Sequence, residues 1–310
     1  MSVAVIPVPV RGFSNFRASP FWGLATAAVL LASFIWAQKF LYLLAFLAVI
    51  IVVHEAGHWW CARRAGMRPT EFYWGFGPEI VGVDYNGCRY GLKAAFLGGY
   101  VKLWGMTPTS ELPEGIEEAD TYRAASHLGR LATILAGPFA NIALAVLAFS
   151  LARYIETGSF GWVEGFRYLW QVIDGTAVAL WGFVTNPETY VGAMFAEGAA
   201  DADVPSRFVS PLAQAEITQY AVDTGLAVSL LWFGILNAAV GFVNLLPLPP
   251  LDGSHAAVTV VEKLRQLVQR DRSVTVNVAS LEPLAYVTLA ALVLLSVNAL
   301  VLDIRFGIGV

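Results

Sequence analysis

Residue types that bind metals and move protons fall together at His54, Glu55 and His58, in the order H-E-x-x-H. On a helix, side chains four apart share a face, so two imidazoles at that spacing can reach one ion. The carboxylate beside the first of them can hold a water molecule and accept its proton. A catalytic ion of this kind needs a third protein ligand and a position left open for water. The strongest candidate is Asp252, in the run N-L-L-P-L-P-P-L-D-G that ends at Gly253. Pro247, Pro249 and Pro250 remove backbone donors and break a helix there. Broken helix at membrane depth is kept where it is buried in protein or lines a watery cavity. Asp252 therefore has a reason to sit in a polar site, the other reading being a solvated carboxylate at a helix end. His255, three residues on, reads as a partner of the ligands rather than as a ligand. His127 reads as the flank of a later apolar run. The alternative for the His pair is a closed structural zinc site that recruits Cys61, at i+3 from His58. The carboxylate inside the motif would then have no task.

The elements that must carry these residues are set by composition. Of the 310 residues, 57% are apolar and only 14% are charged, and the mean hydropathy is +0.62. That balance excludes a disordered chain and an ordinary soluble enzyme. The net charge of -4 supplies no basic field for nucleic acid. Two cysteines are too few for a disulfide framework. Five apolar stretches stand out, at 21–37, 40–53, 131–152, 224–251 and 283–302. A helix needs about 20 residues to cross the hydrocarbon core. The last three stretches meet that length, and the first can cross with its flanks. The second reaches it only by running on through 54–61, which places His54, Glu55 and His58 inside the bilayer region. Ionisable groups there are costly and point to function. The first stretch has the basic start of a signal peptide, but no small-residue cleavage site follows and the next apolar run begins at once, so a retained helix is expected.

Five alternating spans with the N-terminus in the cytoplasm put 14 of the 19 Lys and Arg inside, which predicts that orientation and an outside C-terminus. Residues 80–85 and 88–93 flank Asn86-Gly87, the strongest short signal of a β-hairpin. A small β-region is expected over 72–104, on the cytoplasmic side. The acidic, Pro-containing 107–120 reads as a solvated loop. Segment 153–221 lies outside, and its Trp162, Phe166, Trp170 and Trp181 suggest an amphipathic helix in the interface. The predicted organisation is a tail and extra helix over 1–39 and one membrane domain over 40–305.

Taken together, H-E-x-x-H and the distant L-D-G at 251–253 resemble the site-2 protease family of intramembrane zinc metalloproteases. G-F-G at 75–77, F-L-G-G-Y-V-K at 96–102 and A-G-P-F-A-N at 136–141 resemble its bacterial regulated-intramembrane-proteolysis branch, in the family's order. The resemblance covers about residues 40–305 and implies an all-α polytopic membrane protein. It would have a four-span core, one extra N-terminal span and a membrane-associated β-hairpin region. It implies one Zn2+ per chain, held by His54, His58 and Asp252, with Glu55 as general base. Asn141 and Asn244 match family positions near the substrate path, their other reading being helix–helix hydrogen bonding. The implied activity is hydrolysis of peptide bonds in or beside transmembrane segments. The implied partners are a single-span membrane protein substrate and the lipid bilayer, with no nucleic acid, in a bacterial inner membrane and with the active site toward the cytoplasm. A helical substrate must unwind before attack, and the strand-like edge at Gly99, Tyr100 and Val101 could receive it by strand addition. Many bacterial relatives carry PDZ domains between core spans, and 153–221 is too short for one with its connections. A zinc-dependent lipid hydrolase and a non-enzymatic metal-binding membrane protein are the competing readings.

Overall fold

The computed structural model describes residues 13–36, 38–106, 111–195, 208–271, 274–276 and 278–306. Strand β1 (Phe13–Ala18) leads into helix α1 (Pro20–Trp36) and then helix α2 (Gln38–Arg64). Strands β2 (Glu71–Tyr85) and β3 (Cys88–Lys102) follow, then helix α3 (His127–Thr157). Helices α4 (Trp162–Thr185), α5 (Pro187–Ala193) and α6 (Pro211–Thr224) lie between α3 and α7 (Leu226–Asn244). The chain ends in α8 (Asp252–Gln269) and α9 (Glu282–Phe306).

Four helices, α2, α3, α7 and α9, are long and apolar enough to cross a membrane. Much of their surface is exposed and apolar, as at Val49, Val52, Val293 and Val297. Such surface is stable only against lipid. The chain is therefore a polytopic integral membrane protein. The first expected stretch forms its helix: at 17 residues α1 spans about 25 Å, so it would cross the ~30 Å hydrocarbon core only with its flanks, as the sequence reading has it. In the apolar stretch over 224–251 the helix ends at Asn244, three residues before the first of the prolines expected to break it. Pro247, Pro249 and Pro250 cannot continue a helical ladder, so 245–251 runs without helix until Asp252 opens α8.

Two compact units interleave along the chain. The first joins Met1–Trp36, Leu47–Ala140 and Leu245–Glu282; the second joins Ala37–Phe46, Asn141–Asn244 and Pro283–Val310. In the first, Ala62, Met67, Tyr122, Ile134 and Ala256 form the buried apolar cluster. In the second, Ala145, Val146, Phe149, Leu169 and Ala238 form one. Helix α4 keeps Trp162, Phe166, Trp170 and Trp181 exposed on its flank while burying Gly165, Leu169 and Ala179, the amphipathic pattern expected of 153–221.

The sheet belongs to the first unit. Tyr85 pairs with Cys88 across Asn86-Gly87, and both turn residues take positive φ, 49° and 77°. That is the two-residue hairpin turn that Asn-Gly favours. Both long strands bend. Glu71–Trp74 of β2 lies between two stretches of β3, opposite Arg89–Leu92 on one side and Lys102–Gly99 on the other. Strand β1 adds to the far side of the hairpin, with Phe13 opposite Tyr85 and Ala18 opposite Val81. Gly99–Lys102 is thus an edge, and among the described residues no further strand pairs with its outer side.

Candidate metal centre

His54, Glu55 and His58 lie two turns before the end of α2, within its apolar span. Asp252 is the first residue of α8, placed there by the proline break. All four belong to the first unit. The Nε2 atom of His54 lies 2.9 Å from Asp252 Oδ2 and 3.1 Å from Nε2 of His58. His58 Nε2 lies 3.4 Å from the same carboxylate oxygen. Three ligands bound at about 2.0–2.1 Å around a tetrahedral zinc stand roughly 3.3 Å apart. The three separations bracket that value, so the donor set fits zinc both in chemistry and in spacing.

The tautomer fits as well. His58 Nδ1 donates to the main-chain carbonyl of Thr133 at 2.8 Å. A carbonyl only accepts, so the ring proton is on Nδ1 and the Nε2 lone pair faces Asp252 and His54. The Thr133 carbonyl is a functional atom that the sequence could not show, because every residue carries one.

Glycines bring these elements close. A Cβ on Gly57 would stand 2.5 Å from the carbonyl oxygen of Ala136, so α2 and α3 touch backbone to backbone there. A Cβ on Gly137 would strike the His58 imidazole. One on Gly253 would strike the carbonyls of Leu245 and Leu246. The glycines of H-E-A-G-H, A-G-P and L-D-G are therefore close-approach residues.

Glu55 opens on a cleft of about 190 Å³. His58 and Asp252 stand at its floor, with Gly99, Tyr100 and Val101 on one side and Thr133 and Ile134 on another. A Cβ on Gly99 would meet Ile51 at 2.8 Å and the Glu55 side chain at 3.0 Å, so the sheet edge rests directly on α2. Val101 turns its main chain toward the Glu55 carboxylate. Leu103 and Met106 also line the cleft; being apolar, they carried no chemical signal in the sequence.

A polar network holds the edge strand. Tyr100 donates to Glu71 at 2.6 Å and accepts from Lys93 at 2.8 Å, and Lys102 donates to Glu71 at 2.8 Å. Burial raises the Tyr100 phenol above its usual range, and the bond to Glu71 adds to that. Burial opposes ionisation of Glu71, but the bonds from Lys102 and Tyr100 outweigh it and hold its pKa below the ordinary value.

Asn141 is fully buried in α3, and Asn244 donates to the Val240 carbonyl of its own helix at 3.1 Å. Both belong to the second unit. His255, one turn past Asp252, faces another cavity, of about 370 Å³, with His127, Arg130 and Glu262. The Asp252 carboxylate and the His58 imidazole both act on its ring electrostatically.

Fold and site together define a polytopic membrane protein with a His-His-Asp group whose chemistry and spacing are compatible with a zinc site, and a carboxylate beside it. The chain belongs to peptidase family M50, whose model matches residues 42–289. It falls in a peptidase family, not among lipid hydrolases or metal carriers. It is 39% identical over 109 residues to the zinc metalloprotease Rip1 of Mycobacterium tuberculosis, covering 34% of this chain and 27% of that protein. It is 28% identical over 321 residues to a Mesorhizobium japonicum protein that carries zinc metalloprotease in its name, covering 70% of this chain and 86% of the relative. An Agrobacterium fabrum protein with the same words in its name is 40% identical over 114 residues, 34% of this chain and 30% of that one. The chain thus matches under a third of the length of two of these relatives.

Proposed function

We propose that this chain is an intramembrane zinc endopeptidase that hydrolyses peptide bonds within or beside transmembrane segments of other membrane proteins. The carrying observation is that two imidazoles from α2 and the Asp252 carboxylate converge within 4.8 Å of one another, beside Glu55 and a cleft. His54, His58 and Asp252 are the ligands in this reading. When bound, the zinc supplies Lewis-acid polarisation of the scissile carbonyl and lowers the pKa of water toward ~7. Glu55 accepts the proton of the attacking water and returns it to the leaving amine. Thr133 fixes the His58 ring through Nδ1 so that the other nitrogen stays a ligand.

The substrate backbone must be extended to expose its carbonyl. The outer side of Gly99–Lys102 offers main-chain donors and acceptors beside Glu55, and an unwound segment adds there as one more strand. Gly99 admits that backbone because no side chain stands in the way. The 14 basic residues on one side of five expected spans support, in this reading, a site toward the cytoplasmic side of a bacterial inner membrane. A single-span protein is the simplest partner.

The reading is tested with the purified chain, a transmembrane peptide and a lipid ester. Cleavage of the peptide alone is expected. Glu55→Gln should retain zinc and lose at least about 10²-fold in cleavage rate. Wild-type cleavage by Glu55→Gln would reject the assigned base.

A further inference from the structure

The last turn of α2 carries four large side chains that the hydrolytic site does not use: Trp59, Trp60, Arg63 and Arg64. At i,i+4 spacing each guanidinium covers an indole, Arg63 at 5.0 Å from the Trp59 ring and Arg64 at 4.4 Å from the Trp60 ring. The hairpin closes the other side. Asn86 and Tyr90 line, with those four, a groove of about 400 Å³, and the Tyr90 ring lies 6.3 Å from that of Trp59.

The charge in this groove is uncompensated. Both arginines are exposed, and among the described residues no carboxylate lies within ion-pair distance of either. Arg89, Arg123, Arg130 and Arg153 each have such a partner. Two guanidiniums side by side, free of carboxylates, present planar forks of donors suited to a phosphate.

The position of the groove decides which phosphate. It opens at the end of an apolar span, where hydrocarbon gives way to headgroups. Trp60, 53% exposed, has the placement of an interfacial indole. Below it an exposed stripe runs down the same helix face through Ala56, Val52 and Val49, at helical spacing. His54 and His58 are buried on the opposite side. A cationic head above a continuous apolar stripe matches an amphiphile, with its phosphate above and its acyl chains below.

We propose that the Arg63–Arg64 groove is a binding site for an anionic phospholipid. Both arginines contact the headgroup phosphate, Trp60 packs on the glycerol level, and an acyl chain lies along Ala56, Val52 and Val49. Basic clusters at the ends of membrane helices select anionic lipid by this charge match. The site sits on the face of α2 turned away from the zinc ligands, so binding is read without reference to catalysis.

The test is native mass spectrometry of the full chain in detergent with equal phosphatidylglycerol and phosphatidylcholine. The wild type should retain one phosphatidylglycerol in preference to phosphatidylcholine. Arg63→Gln with Arg64→Gln should lose that preference by roughly 30-fold, about fivefold for each arginine, while keeping its zinc. The milder Arg64→Lys keeps the charge and the helix, and should keep part of the preference. Equal retention of the two lipids by the wild type, or an unchanged preference in the double Gln variant, would overturn the proposal. So would displacement of the lipid by millimolar glycerol phosphate, which would make the groove a site for soluble anions.

Discussion

Gly137 lies so close to His58 that a single added methyl group would overlap three atoms of the imidazole ring. The ring is pressed between this glycine and the Thr133 carbonyl one turn earlier on α3, and it has one orientation available. The orientation of the His58 ring on α2 is therefore imposed by α3.

Gly137→Ala should thus act on the metal rather than on the span. Overpacking of this kind costs about 1–3 kcal/mol, and the ring is the softest neighbour. Zinc affinity should fall by at least about tenfold with the helical circular dichroism unchanged, the usual scale for disturbing a ligand's support. Wild-type affinity, measured by chelator competition, would show that His58 does not depend on this contact.

The edge strand is tested at Val101, whose main chain faces Glu55. Proline is tolerated on an edge strand but removes its donor. Val101→Pro should lower cleavage of a transmembrane peptide while leaving one zinc per chain. Unchanged cleavage would reject strand addition as the way substrate is held.

Arg130 and Glu262 form a buried pair at 2.5 Å, with side chains 9% and 8% exposed. His127 adds a contact to the same carboxylate at 3.5 Å. The pair ties the start of α3 to the α8 helix that carries Asp252. Removing one partner of a buried pair strands the other charge, at about 3–5 kcal/mol. Arg130→Met should lower the thermal midpoint clearly, and Arg130→Met with Glu262→Met should recover much of the loss. A midpoint equal to wild type in the single variant would show that the charges are solvated.

The sheet should weaken in acid. Bonds from Arg89, joined by one from Tyr73, outweigh partial burial and hold the Glu79 carboxyl below the ordinary range. A carboxylate depressed in the folded state adds stability that is present above its unfolded pKa, about 4.3. That contribution is lost as pH falls below this value toward the folded pKa. Hydrogen exchange of β2 and β3, corrected for intrinsic rates, should lose protection over that window, and Arg89→Gln should reduce protection at neutral pH. A flat profile would remove Glu79 from the account of sheet stability.

Local signals in the sequence carried most of the site. H-E-x-x-H works through helical spacing alone, Asn86-Gly87 through turn geometry, and the prolines before Asp252 through a missing donor. Each is a short-range constraint, so residue order suffices to read it. The rest depends on contacts between distant segments. Phe13–Ala18 has no alternation of its own and becomes a strand because β2 offers an edge. The return of Glu71–Trp74 between two parts of β3 depends on bends at glycines such as Gly75, whose φ is 95°. The prolines announced a break after α7, but not that it begins at Asn244, because Leu245 and Leu246 stay apolar after the helix stops. The supporting atom Thr133 O is main chain, and Gly137 reads as an ordinary small residue until its neighbour is known.

The central claim is that one zinc is held by His54, His58 and Asp252 together. It is tested most directly by zinc content per chain in purified wild type, His54→Ala, His58→Ala and Asp252→Ala, each checked for helical content. The account predicts one zinc in the wild type and near none in all three variants. Full zinc in Asp252→Ala, with its fold intact, would contradict it.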